Sequence, residues 1–245
     1  MNSQWKLAAL SGLCGAIAAL VVVYAGSSFG FLPANGPGIH AYLLAHPEIV
    51  ADMTNELQQQ QDDAENIASQ HAVDKIGVKA FFNARIAYIT GPANAKTTVV
   101  ELFDYNCPYC RQSFPAIKKF YTQHKNDTRF AFIEFPIKGE DSVFAARVAL
   151  AARKQDNKYL ALHFALMNER DHVDANTILA DAQKVGIDMN KLQADMKGPD
   201  VITGINESLA LAQAAKVGGT PFFIINGKIH PGALNDEILQ QMAKG

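Results

Sequence analysis

A pair of cysteines set where a strand ends and a helix begins constrains this chain more than any other feature. Thr97 to Tyr105 is a β-branched, apolar run of the kind that forms a buried strand. Arg111 to His124 continues as an amphipathic helix with Pro115 as a kink. Between them stands Cys107-Pro108-Tyr109-Cys110. A cysteine at a helix N-terminus sees unpaired backbone N–H groups and the positive end of the helix dipole, and both favour a thiolate. Cys107 is therefore the expected nucleophile. Cys110 lies one turn further along the same face, close enough to resolve a mixed disulfide formed at Cys107. Pro108 has the fixed φ suited to a first helical turn. Thr128 to Ile137 supplies a second strand, and strand, helix, strand is the order of a βαβ unit with a parallel pair.

Composition removes the competing readings of the cysteines. The chain has 245 residues and three cysteines, Cys14, Cys107 and Cys110. It is long enough to bury a core unaided, and a structural disulfide framework needs more cysteines, spread more widely. A C-x-x-C pair also opens many zinc sites. Four ligands are needed there, and no second C-x-x-C or spaced histidine pair follows Cys110, so no metal is expected. No other cofactor is expected either. Lys and Arg number 22 against 24 Asp and Glu, a net charge of -2, which offers nucleic acid no basic field.

The N-terminal quarter reads as three pieces. Leu7 to Ala25 is apolar and uncharged, about the roughly 20 residues that a membrane-spanning helix needs, with Lys6 before it. Residues 1–26 are thus a signal-anchor, or a signal peptide cleaved near Val23-Tyr24-Ala25, and either sends the remainder to an oxidising compartment. Cys14 is read as a small apolar residue of that segment. Residues 27–90 form a linker and a helical stalk. Ser27 to Gly38 is rich in Ser, Gly and Pro, and from Ile39 to about Ala84 apolar residues recur at helical spacing, with a break near His46 before Pro47. The stretch from Gln58 to Asp63 is polar all round. It can be a self-association stalk or a solvated helix.

Residues 91–245 hold the domain built on the cysteines, interrupted at about 140–215 by a helical insertion. Phe144, Val148, Leu160, Leu162 and Leu166 in that insertion are at core spacing, and His163 is read as a helix-surface histidine. A strand from Pro221 to Asn226 turns at Asn226-Gly227 into Lys228-Ile229-His230, and Ala233 to Lys244 closes the chain as a helix. Thr220-Pro221 opens the strand where proline is tolerated and a cis bond is expected, giving a backbone edge on which a substrate chain can lie. Glu101 sits within the apolar strand before Cys107. If buried, it has a raised pKa and can transfer protons near Cys110; if strand alternation turns it outward, it is a surface acid.

The run Val99-Val100-Glu101-Leu102-Phe103-Asp104-Tyr105-Asn106-Cys107-Pro108-Tyr109-Cys110, with the helical insertion and Thr220-Pro221, resembles the DsbA-like family of thioredoxin-fold proteins, and most of all the ScsC and Com1 type. The resemblance covers Ile39 to Lys244. It implies an α/β, thioredoxin-like fold with a helical insertion, preceded by an N-terminal helical segment; the membrane-spanning helix expected before that segment rests on the apolar run at 7–25 and not on the resemblance. It also implies a periplasmic enzyme acting on protein thiols and disulfides, reset by a membrane redox partner, with oligomers built through the N-terminal helices. Cys107 and Cys110 would be the redox-active pair. Glu101 matches the family's buried acid, and Pro108, Tyr109, Thr220 and Pro221 the positions that meet substrate. Pro108-Tyr109 departs from the Pro-His of strongly oxidising members, which leaves oxidase, isomerase and reductase directions open. A non-enzymatic chaperone or metal-handling module using the same groove is the reading from another class.

Overall fold

The computed structural model describes residues 36–244. The apolar run at 7–25 and Cys14 lie outside the described residues. Two compact units divide between Gln61 and Asp62. In the first, Gly36–Ala45 (α1) and the opening of Pro47–Ile76 (α2) are helical. The break falls at His46, whose N–H caps α1 on Tyr42 O at 3.0 Å, and Pro47 occupies the first position of α2, where a missing N–H is harmless. Ile39, Tyr42, Val50, Met53 and Leu57 are exposed in this unit. Among the described residues no helix is long and apolar enough to cross a membrane.

In the second unit the rest of α2 lies on a sheet edge. Val73 is buried, Ser69 Oγ donates to Lys216 O at 2.7 Å, and Gln70 bridges Gly227 O and Ile229 N at 2.9 and 3.0 Å. The helix ends at Gly77, whose φ of +82° suits glycine. The expected helical reach to Ala84 is cut short there. A four-residue edge strand, Ala87–Thr90 (β1), then falls within the segment that the sequence reads as stalk.

The remaining elements are Thr97–Phe103 (β2), Pro108–His124 (α3), Thr128–Glu134 (β3), Glu140–Ala152 (α4), Lys158–Asn168 (α5), Ala175–Lys184 (α6), Met189–Asp195 (α7), Pro199–Ala214 (α8), Phe222–Ile225 (β4), Lys228–Pro231 (β5) and Asp236–Lys244 (α9). The sheet order is β1-β3-β2-β4-β5, with β2 central, parallel to β3 and antiparallel to β4. Asn226 and Gly227 have φ of 50° and 85°, the left-handed pair that a two-residue hairpin requires. Register sets Glu101 opposite Phe132 and Phe223, so Val99, Glu101 and Phe103 share one face while Val100 and Leu102 share the other. Both faces are covered. Phe114, Ile117, Leu162 and Leu239 lie over the first and Val73, Phe81, Ala212 and Val217 over the second. Burial on both sides is why β2 reads as a continuous apolar run rather than an alternating one.

Val148, Leu162 and Leu166 are core, with Phe144 and Leu160 packed against it, as their spacing predicts. His163 differs from expectation. It is 1% exposed and ringed by Phe103, Phe114, Phe132 and Tyr159. Tyr159, Leu162, His163 and Leu166 follow the i, i+3, i+4, i+7 pattern of one buried stripe, so the histidine belongs to the apolar side of α5.

Candidate active site

The site begins with an acid that holds the end of β2 to the start of the helical insertion. Asp104 is 1% exposed, and its Oδ1 accepts from Asn106 N and Ser142 Oγ, both at 2.7 Å. Its Oδ2 accepts from Ile137 N at 2.7 Å and Lys138 N at 2.9 Å. Four donors on one carboxylate compensate its burial and fix the turn that follows. Asn106 then clasps Val173, accepting its N–H at 2.8 Å and donating to its carbonyl at 3.1 Å. Arg111 reaches back from the first turn of α3 to Tyr105 O, with Nε at 3.1 Å and Nη2 at 2.8 Å. None of these supporting side chains stood out as functional in the sequence. The Asp-x-Asn spacing before Cys107 was the available signal, since both residue types hold turns by bonding nearby backbone.

This turn delivers Cys107 to the N-cap of α3 in an extended conformation (φ −84°, ψ 117°), with Pro108 in the first helical turn. Both cysteines are free thiols and buried, while Tyr109 is 59% exposed. The Cys107 thiol donates to Thr220 O at 3.0 Å, which brings the loop before β4 directly against the cysteine. The Thr220-Pro221 peptide bond is cis, as expected from sequence. With Cys107 as a thiol, Thr220 Oγ1 is buried and has no hydrogen-bond partner among the described residues. Once Cys107 is ionised, that side chain supports the thiolate.

The two thiols are driven apart in acidity. A hydrogen bond from Cys110 is the largest influence on Cys107; burial opposes it, and Thr220 with the N–H groups of Cys110 and Tyr109 reinforce it, bringing Cys107 down to about 5. Cys110 moves the other way. Burial raises it first, its donated bond to Cys107 second and the nearby Glu101 carboxylate third. Cys107 is therefore a thiolate at neutral pH and Cys110 a thiol.

Glu101 is 3% exposed, so the reading in which alternation turns it to solvent is overturned; β2 is covered on both faces and offers no solvent side. Burial pushes its pKa up to about 8, and Oε2 has no hydrogen-bond partner among the described residues. His163 bonds the Tyr105 hydroxyl at 3.3 Å, and burial lowers its pKa to about 3, which keeps it neutral. A second buried acid, Glu134, accepts from the hydroxyls of Tyr105 at 3.2 Å and Tyr159 at 2.9 Å. Its position at the end of β3, on the face shared with Phe132, gave no sequence sign of that partnership. A low-pKa thiolate over a protonated, enclosed second thiol can open a disulfide and then be released from it.

Residues 98–243 match the family described as DSBA-like thioredoxin domain, and residues 36–64 match the copper resistance protein ScsC N-terminal domain. Among solved structures, a thioredoxin-like oxidoreductase from Silicibacter pomeroyi DSS-3 is 40% identical, with 67% of this chain and 93% of that chain covered at a TM-score of 0.62. A periplasmic thioredoxin-like protein from Salmonella enterica serovar Typhimurium is 33% identical, covering 67% of this chain and 92% of that one at a TM-score of 0.59. A curated relative, the Na(+)/H(+) antiporter NhaA 3 of Salinispora tropica, is 29% identical over 157 residues, which are 62% of this chain. The chain spans 23% of that relative's length.

Proposed function

The chain belongs to the DSBA-like thioredoxin domain family, and from that premise we propose that it is an extracytoplasmic thiol-disulfide oxidoreductase whose Cys107-Cys110 pair acts on protein substrates. One observation carries the reading: Cys107 stands at the N-cap of α3 with its thiol 3.0 Å from Thr220 O and Cys110 enclosed one turn behind it, an arrangement that lowers the first thiol's pKa and raises the second's.

In the reduced form, the Cys107 thiolate attacks one sulfur of a substrate disulfide. A bond forms between Cys107 Sγ and that sulfur, the substrate S–S bond breaks, and the second substrate sulfur leaves as a thiolate and takes up a proton. Cys110 then loses its proton and attacks Cys107 Sγ. The mixed disulfide breaks, the first substrate sulfur leaves reduced, and two electrons have passed from the protein to the substrate. Glu101 is the proposed proton acceptor for Cys110, because a buried carboxyl with a pKa of about 8 can exchange a proton near neutrality. Net oxidation of a substrate is the same sequence reversed, starting from the Cys107-Cys110 disulfide. Isomerisation stops halfway, when another substrate thiol displaces Cys107. Thr220 and Pro221 form the edge on which substrate lies, with Pro108 and Tyr109 facing it.

A periplasmic location, with residues 7–25 as an inner-membrane anchor or a cleaved signal peptide, and a membrane partner that resets the cysteines belong to the same proposal. So does a homo-oligomer through the N-terminal helices, supported by exposed Val50, Met53 and Leu57 at spacings of three and four on α2. That face favours isomerisation over simple oxidation. Turnover of scrambled ribonuclease and of insulin by wild type and Cys107→Ala tests the enzyme reading. Equal activity in the two would instead favour the chaperone or metal-handling alternative.

A further inference from the structure

A groove of about 390 Å³ begins at Thr220 and Pro221 and ends against Asp62 and Glu65 of α2. Helix α2 is held in place as one wall, since Ser69 and Gln70 bond the backbone of Lys216, Gly227 and Ile229. Glu65 Oε2 lies 3.9 Å from where a Cβ on Gly218 would stand, two residues before Thr220. The neighbouring Gly219 is bare without a structural need. Its φ is not positive, and a Cβ there would meet no atom within 4 Å. Glycine at such a place leaves backbone open to close approach by another chain. The groove starts at the residue whose carbonyl accepts from the Cys107 thiol at 3.0 Å, so a chain lying in it passes the nucleophile.

The groove's charges are two carboxylates, Asp62 and Glu65, against the single ammonium of Lys216. We infer that α2 reads the substrate: a polypeptide lying on the Gly219-Thr220 edge places a lysine or arginine near its reactive cysteine against Asp62 and Glu65. The inference rests on the oxidoreductase reading, and it gives the N-terminal helix a part in choosing among protein disulfides, with cysteines flanked by basic residues preferred.

Two peptides identical except for lysine or glutamate beside the cysteine, each as a mixed disulfide with a chromogenic thiol, test it on the full chain. Each rate is divided by the peptide's rate with glutathione to remove intrinsic reactivity. The lysine peptide reacts about fivefold faster than the glutamate peptide with wild type, a size set by two exposed charge pairs. The preference collapses in about 1 M salt, where the screening length is roughly 3 Å. The double variant Asp62→Asn/Glu65→Gln brings the ratio to about one, and Asp62→Lys/Glu65→Lys inverts it. Equal normalised rates in wild type, or a preference that survives both salt and substitution, overturn the inference while leaving the oxidoreductase reading intact. A wild type that exchanges with neither peptide overturns both. The salt arm needs no variant to fold.

Discussion

Replacing Glu101 by leucine should make the protein more stable and a poorer catalyst, with both effects depending on pH. Glu101 has its pKa raised by burial from an ordinary 4.5 to about 8. A carboxyl raised in this way binds its proton more tightly folded than unfolded. Its contribution is neutral below pH 4.5 and becomes unfavourable as pH rises from 4.5 to about 8, where the folded state must also ionise. At about 1.4 kcal/mol for each pH unit in that window, the penalty is roughly 3 kcal/mol at pH 7 and about 5 kcal/mol at pH 8 and above. These are upper values, since water entry and relaxation around a buried charge reduce them. Leucine has similar volume and would sit among Phe103, Phe132 and Phe223 on that face of the sheet. Urea denaturation of wild type and Glu101→Leu at pH 4.5, 6 and 8 measures the gap directly. The gap should be small at pH 4.5 and widen to several kcal/mol at pH 8. A gap that stays constant with pH would refute the buried, high-pKa carboxyl. In the same variant, the step in which Cys110 resolves the mixed disulfide should slow by about tenfold to a hundredfold near pH 7.

The thiolate absorbance of reduced wild type near 240 nm should titrate at about pH 5, and Cys110→Ala, which removes the largest stabilising bond, should move that midpoint up by about one pH unit or more. Because the folded value lies below that of an unfolded thiol, Cys107 contributes stability at high pH that is lost as pH falls through about 5; reduced Cys107→Ala should therefore show a flatter stability profile between pH 5 and 9. Asp104→Ala strips partners from the N–H groups of Asn106, Ile137 and Lys138 and should cost about 3 kcal/mol or more in thermal or urea unfolding, with slower thiol attack because the turn before Cys107 loosens. Charged substitutions at Val50, Met53 and Leu57 should convert an oligomer into a monomer in sedimentation and lower isomerase activity before they touch insulin reduction.

Where local pattern decides structure, the chain was readable. The β-branched run before Cys107, the helical insertion at about 140–215, the His46 break and the Asn226-Gly227 hairpin all appear within a few residues of their expected bounds. Each is set by turn chemistry or periodicity acting over a short stretch. Four-residue β1 escaped notice because so short an edge strand has too few residues for a period. The same holds for the site. Cys107, Cys110 and the Thr220-Pro221 pair could be named from spacing and family resemblance, and Glu101 from its place in an apolar strand. Burial of Glu101 could be settled only by the layers over both sheet faces. Asp104 and Asn106 act through partners 33 and 67 positions distant, and Glu134 through hydroxyls 25 and 29 away, contacts that no local window contains. His163 was legible after all, in the stripe it shares with Tyr159 and Leu166.

The central claim is that Cys107 attacks and Cys110 resolves. Mass spectrometry of reduced Cys110→Ala mixed with a peptide disulfide tests it most directly. The account predicts a stable adduct of one peptide on Cys107, formed faster above pH 5 than below it, and no such accumulation in wild type because Cys110 clears it. Absence of an adduct on Cys107 in the Cys110→Ala protein, or equal accumulation in wild type, would contradict it.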